Sequence, residues 1–327
     1  MQRLNGIKKT CQYGRKKMDN GKVSFIRARQ RKGDYVFDAI QQMGYTIVTP
    51  YKDWNLFFRC IREIWFLLGL PGKKIWFNRE IIGLKSEVII IKDPLICLDL
   101  LKWIRKKHPN KRLLLDYDNR VKRSINPNII DNGLVEKWSY DKDDCKEYSM
   151  SYKGPCYLDI YQLKKQQIPQ YDILYVGRDK GRAEKLLDLK IKMEAIGLKT
   201  YFHITPDRSY QLKKKKFYQP YMPYRQYLEI LGKSRVILNI MDNGQSSITQ
   251  REMEAIFHKV KCITNNKGIR NFKLYHPSRF FILGEDNFKE LKQFVDMPFK
   301  EIDGKQLKEF KAESLIERMY IGCQAED

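Results

Sequence analysis

Residues 235–266 read RVILNIMDNGQSSITQREMEAIFHKVKCITNN. A β-branched, apolar run from Val236 to Ile240 gives way to the polar bend Asp242-Asn243-Gly244-Gln245-Ser246-Ser247. Apolar residues then recur at helical spacing (Ile248, Met253, Ala255, Ile256, Phe257), and Lys261 to Thr264 reads as a second strand. Strand, tight bend, helix and strand make a βαβ step. In an open parallel sheet a ligand sits beyond the carboxyl ends of the strands, where unpaired N–H groups at the next helix start favour an anion. Gly244 and the small residues after it let a phosphate approach closely. Arg251 and Glu254, spaced i, i+3, can point the same way. One offers a cation to a phosphate, the other a carboxylate able to take two ribose hydroxyls. The same pair also suits a solvated helix face, and it is the bend ahead of it that favours a ligand.

The segment upstream repeats the pattern. Asp172 to Val176 reads as a strand that ends in Gly177-Arg178-Asp179-Lys180-Gly181-Arg182; Ala183 to Ile196 is a helix stopped by Gly197, and Lys199 to Ile204 a further strand. Tyr224 to Leu231 is the helix leading into the opening stretch. Beyond it, Arg279 to Leu283 is a strand, Asp286 to Val295 a helix, and Leu307 to Tyr320 one amphipathic helix with Leu307, Phe310, Leu315, Ile316 and Met319 on its apolar side. If GRDKGR and DNGQSS leave the same edge of one sheet, Arg178, Lys180 and Arg182 close over phosphates held at Gly244, which suits a nucleoside diphosphate. No GxGxxG follows a strand and no GxxxxGK[ST] occurs. Alone, GRDKGR is equally an exposed basic turn.

The N-terminal half alternates in the same way. Strands are expected at Val23 to Arg27, Tyr45 to Thr49, Glu87 to Lys92, Lys111 to Leu115 and around Val135 to Trp138, with helices at Asp34 to Met43, Trp54 to Leu70 and Leu95 to Lys107. Glu87 to Lys92 is continuously apolar at its centre, as a strand buried on both faces should be. Such alternation predicts βαβ units and a Rossmann-like domain. The expected divisions are a basic tail over 1–22, with Met18 an alternative start, an acceptor-side domain over 23–165, a linker at 164–170, a nucleotide-binding domain over 171–300, and a C-terminal helix over 301–327 that packs back.

Composition narrows the function classes. The chain has 327 residues, 43% hydrophobic and 13% aromatic, enough for two cores. Lys and Arg number 63 against 39 acidic residues, a formal charge of +24, which predicts a polyanionic or phosphorylated partner without choosing among them. Seven scattered cysteines without a CxxC pair and four histidines without ligand spacing argue against a zinc site. No secretory signal opens the sequence, and the default placement is cytoplasmic. The stretch LFFRCIREIWFLLGLPG from Leu56 is too short and too charged to span a bilayer. It suits a buried helix, or one lying on a membrane with Arg59, Arg62, Lys73 and Lys74 at the headgroups.

The stretches DILYVGRDKGRAEKL, YRQYLEILGKSRVILNI, GQSSITQREMEA, KCITNN and, in the first half, WSYDKDDCKEY resemble GT-B glycosyltransferases of bacterial lipopolysaccharide or capsular polysaccharide biosynthesis. The resemblance runs over roughly Val23 to Val295. It implies an α/β fold of two Rossmann-like domains facing each other across a cleft, a nucleotide-diphosphate sugar as donor, a glycan or lipid-linked acceptor, and no cofactor or nucleic acid. It implies Gly177, Lys180 and Arg182 near phosphate, Gln245, Ser247 and Thr249 at the loop, and Arg251 and Glu254 on the helix. The two-glutamate pattern of many retaining relatives would put a glutamate at 246, where this chain has Ser246.

Cationic side chains and a helix start can stabilise a leaving diphosphate without a metal. The triplet Asp116-Tyr117-Asp118 resembles a metal-binding motif only superficially. An inverting reaction needs a carboxylate to take the acceptor proton, and Asp34 and Asp118 are the candidates, each also readable as a cap or turn residue. Two other readings compete with the enzyme. A nucleic-acid-binding protein would use the net charge and the Lys213 to Lys216 run, but no recognised motif supports it. A non-catalytic homologue would bind donor without transferring it.

Overall fold

The computed structural model describes residues 18–28, 34–52, 55–93, 96–121, 124–241 and 247–325. The described residues form two compact units: the first takes those up to 154 and from 313 to 325, the second those from 155 to 312. Each is α/β with a parallel sheet.

In the first unit the strands are β1 (Val23–Ile26), β2 (Thr46–Val48), β3 (Val88–Lys92), β4 (Arg112–Tyr117), β5 (Glu136–Ser139) and β6 (Ser151–Tyr152), and the helices are α1 (Tyr35–Gln42), α2 (Leu56–Leu67), α3 (Leu98–Lys107) and α4 (Lys142–Glu147). The sheet order is β2-β1-β3-β4-β5-β6, all parallel. The chain order therefore reverses between β1 and β3. Alternate residues sort to opposite faces. Ile26, Ile89, Ile91, Leu113 and Leu115 pack with Leu100, Leu101 and Ile104 of α3, while Phe25, Ile90 and Leu114 are buried on the other side.

The second unit has β7 (Tyr171–Arg178), α5 (Ala183–Ala195), β8 (Thr200–Thr205), α6 (Tyr224–Leu231), β9 (Ser234–Asn239), α7 (Gln250–Phe257), β10 (Lys261–Thr264), β11 (Phe280–Ile282), α8 (Leu291–Asp296) and α9 (Gly304–Lys308). Its order is β11-β10-β9-β7-β8, again parallel, with the reversal between β7 and β9. Two cores flank this sheet. Leu174, Ile237, Cys262 and Phe280 meet α6 and α7 through Leu228, Leu231, Met253 and Ile256; Ile173, Tyr175, Val236, Leu238 and Phe281 meet α5 and α8 through Leu186, Met193, Leu291 and Phe294. The unit is three layers, helix on sheet on helix.

Three elements depart from expectation. Leu307 to Tyr320 is not one helix: α9 ends at Lys308 and α10 (Ala312–Ile321) begins after a turn. Leu307 and Phe310 join a core of the second unit, whereas α10 is tied to the first, where Tyr320 O accepts from Arg112 and Lys153 O accepts from Arg318 Nη2 at 3.2 Å. The apolar spacing stayed helical because each half keeps its own apolar side. Residues 164–170, expected as a linker, are held to the second unit by Gln166 N to Gly232 O and Gln170 N to Lys233 O, both 2.8 Å. And α2 buries no residue at all.

Candidate functional site

β7 and β9 are neighbours running the same way, so the loops that follow them leave one edge of the second sheet, at the point where strand order reverses. This is the position at which open α/β sheets hold ligands. One side chain ties the two loops together. Arg182 donates through Nε to Asp179 O (3.1 Å), through Nη2 to Arg178 O (3.0 Å), and through Nη1 to Ile240 O at the end of β9. The basic turn is thereby anchored to the start of the glycine-containing loop. Arg178 and Lys180 are exposed on it. Lys180 sits at φ 50° and Gly181 at +76°, a pair of left-handed residues that makes the turn tight. At Gly177 a Cβ would meet the Tyr175 hydroxyl at 2.9 Å, so a side chain there would have to shift that hydroxyl from its bond to Arg178 O.

Asp179, which the sequence reading passed over, fixes the turn. Its Oδ1 accepts from Arg182 N (2.7 Å) and Ala183 N (2.6 Å), capping α5, while Oδ2 accepts from the Tyr218 hydroxyl at 2.5 Å. Asp179 thus takes the first N–H of α5, that of Ala183, together with that of Arg182 just before it.

The frame around α7 is rigid. Thr249 and Glu252 form a reciprocal cap, Thr249 N to Glu252 Oε2 at 2.7 Å and Glu252 N to Thr249 Oγ1 at 3.3 Å. Glu252 is fully buried and also accepts from Thr264 Oγ1 (2.8 Å) and Asn266 Nδ2 (3.3 Å), with burial raising its pKa. Asn239 Nδ2 reaches Thr249 Oγ1 at 3.1 Å, and Asn265 Oδ1 takes Met241 N at 2.7 Å. Both ends of the loop are therefore pinned to the ends of β9 and β10. Gly244 and Gln245, expected at its centre, lie outside the described residues, as does Ser246; Ser247 is buried at its far end. The capping box T-x-x-E at 249–252 was the sequence signal for this anchoring.

Arg251 and Glu254 do meet, Nη1 to Oε2 at 2.5 Å. Glu254 is buried, and its carboxylate also accepts from the hydroxyls of Tyr224 (2.7 Å) and Tyr227 (2.6 Å). Tyr224 continues to Tyr157 (2.7 Å), and Tyr157 to His258 Nε2 (2.8 Å), whose pKa is lowered by burial. Arg251 lies over the Tyr227 ring, 4.1 Å to the centroid, and donates through Nη2 to Val176 O at 2.9 Å. Burial, with Glu254 facing it, keeps the Tyr227 phenol protonated. Glu254 thus accepts from three protein donors, and Arg251 links α7 to the end of β7.

Asp34 and Asp118, the two carboxylates expected to act as base, lie at the carboxyl edge of the first sheet. Asp34 caps α1, accepting from Phe37 N at 3.3 Å, and pairs with Arg27 Nη2 at 3.3 Å. Asp118 accepts from Lys92 Nζ and Lys153 Nζ, both 3.0 Å, and the same lysines hold the buried Asp116. The two lysine cations, outweighing the cost of burial, push the Asp118 pKa well below the usual carboxylate range, so it is a weak proton acceptor. Between them lies a group the sequence reading missed. Asp93, at the end of β3, accepts from Asp118 N at 2.5 Å and from Ser124, and burial with Asp118 alongside raises it to about 6. Arg27, buried at the end of β1, has no hydrogen-bond partner for Nε and Nη1 among the described residues.

No family model matches the chain, and no curated protein matches it in sequence. Among solved structures it is similar to a lipopolysaccharide outer core galactosyltransferase, WaaB, in its apo form, at 12% identity over 92% of this chain and 99% of that one, with a TM-score of 0.48. It is similar also to the spinosyn forosaminyltransferase SpnP, at 12% identity over 89% of this chain and 86% of that one, with a TM-score of 0.35.

Proposed function

We propose that the chain is a GT-B glycosyltransferase that moves a hexosyl group from a nucleotide-diphosphate sugar to a cell-surface glycan acceptor, lipopolysaccharide, capsule or a related lipid-linked precursor, at the cytoplasmic face of a membrane. The observation that carries the reading is the Arg182 bridge, which joins a basic turn and a glycine-containing loop at the reversal point of the second sheet. A diphosphate there meets Arg178 and Lys180 from one side and Ser247 and Thr249, ahead of α7, from the other; Gly244 and Gln245, also expected at this loop, lie outside the described residues. Charge-assisted contacts of this kind stabilise the negative charge that grows on a leaving diphosphate without calling on a metal. Arg251 and Glu254 form the wall nearest β7. A ribose hydroxyl reaches Glu254 only by displacing one of its tyrosine partners, which makes the pair chiefly a positioning element. On the acceptor side Asp34 and Asp118 supply the carboxylates, and Asp93, with its raised pKa, is a stronger base than Asp118.

The test is a thermal-shift screen of nucleotide sugars on the full chain, followed by detection of released nucleoside diphosphate with the sugars that stabilise. A ligand bound only by the folded state raises the melting temperature by mass action, about 2.7 kcal/mol at a hundred times Kd. Stabilisation by one nucleotide series with slow donor hydrolysis supports the reading. No stabilisation by any of them refutes it.

A further inference from the structure

The outer side of α2 is apolar, and nothing in the first unit requires it to be. Leu56 is 77% exposed, Phe57 67%, Ile64 55%, Leu67 85% and Leu68 65%. With Cys60, also exposed, Phe57, Ile64, Leu67 and Leu68 recur at three- and four-residue steps and form one continuous stripe along the helix. The opposite side already holds the helix to the protein. Phe66 packs edge-on to Tyr51 (5.6 Å), Trp65 to Trp76 (6.0 Å), and Arg62 lies over the Tyr51 ring at 4.4 Å. A surface helix normally turns one apolar side inward and a polar one outward; this one has apolar residues on both. A contiguous apolar patch of this kind marks an interaction surface.

Charge identifies what it meets. Immediately past the helix, a groove of about 520 Å³ is lined by Leu70, Phe77 and Trp103 together with Lys73, Lys74, Lys102 and Lys106, against the single acid Asp99. Asp99 is engaged by Lys73 at 2.8 Å, and the one glutamate of α2, Glu63, by Arg62 at 2.6 Å. The rim is thus net cationic beside an exposed apolar stripe, the pairing of two signals that stable binding to an anionic lipid surface needs. At 12 residues α2 is too short to cross a bilayer, so it lies in the plane of one.

We propose that α2 and the lysine groove form a docking surface for an anionic membrane, with the Phe57–Leu68 stripe in the acyl boundary and Lys73, Lys74, Lys102 and Lys106 on headgroup phosphates. This rests on the first unit alone and stands apart from nucleotide binding. The test is co-sedimentation of the full chain with vesicles of phosphatidylcholine, alone or with about a third phosphatidylglycerol, at low and high salt. Binding is expected only to the anionic vesicles, and to weaken as salt screens the lysines. The double variant Ile64→Glu/Leu67→Glu is expected to lose at least tenfold in partitioning with an unchanged melting temperature, since both side chains are solvent-exposed. Lys74→Ser/Lys102→Ser is expected to lose about fivefold per lysine removed. Substituting Lys213 to Lys216 by serine leaves binding intact. Equal binding to neutral vesicles, loss of binding through the 213–216 run instead, no effect of the α2 variants, or conversion of a dimer to a monomer by them would each overturn the proposal.

Discussion

Replacing Glu254 by glutamine separates a positioning role from a ligand role. The carboxylate accepts from Arg251, Tyr224 and Tyr227 at 2.5, 2.7 and 2.6 Å. Glutamine keeps the volume but turns one acceptor into a donor facing donors, and removes the counter-charge of Arg251. Breaking a buried pair costs about 3–5 kcal/mol, and Arg251, with 31% of its side chain exposed, puts the estimate at the low end, about 3 kcal/mol. For a unit of this size that lowers the melting temperature by roughly 6–12 °C. The assay is thermal unfolding of the full chain, with amide exchange read in α6 and α7 to confirm that the loss falls in the second unit. Tyr227→Phe alone is expected to lose less, and the double variant less than the sum, because the two side chains share one interaction. A Glu254→Gln protein that melts within about 2 °C of the parent, yet binds nucleotide a hundredfold more weakly, would refute the positioning role and make Glu254 a direct ligand.

Arg178→Ala/Lys180→Ala removes two exposed cations and is expected to weaken nucleotide-diphosphate binding by roughly tenfold to a hundredfold with no change in melting temperature, read by titration calorimetry. Asp93 has its pKa raised to about 6 in the folded state. The folded protein therefore holds a proton that the unfolded chain releases near pH 4, and this contribution, present at low pH, is lost as pH rises through about 6. Asp93→Asn should raise stability at pH 7.5 by about 2 kcal/mol and flatten the profile between about pH 4 and 6, which urea unfolding across pH checks. At Gly232 a Cβ would stand 2.2 Å from Lys164 O, a backbone atom, so Gly232→Ala should destabilise by about 1–3 kcal/mol, measured by the same unfolding.

The alternation of strands and helices was legible because period and apolar runs are local properties. Val88–Lys92 and Ser234–Asn239 are read from their own side chains, and so are the two loops at the reversal point. What needed the fold was every pairing across long sequence distance. Tyr224 and Tyr227 meet Glu254 from about one helix and one strand upstream, and no local spacing marks them as its partners. Lys153 reaches Asp118 across 35 residues, turning a candidate base into a poor one. The brevity of β6, two residues long, and of α4, six, left them without a periodic signal. The apolar content of α2 suggested burial, but composition does not say which side of a helix faces the protein. Thr249-Glu252 carried the recognisable T-x-x-E capping spacing, whereas Asp179, three residues ahead of the cap position of α5, carried none.

The central claim is that the turn after β7 and the loop after β9 form one diphosphate site held together by Arg182. Titration calorimetry of UDP, GDP, CDP, ADP and dTDP into the parent chain and into Arg182→Ala tests it most directly. One of these is expected to bind at a single site per chain, and the variant, its two loops untied, to lose that binding. Undiminished binding by the Arg182→Ala chain, or heat from none of the five with the parent, would contradict it.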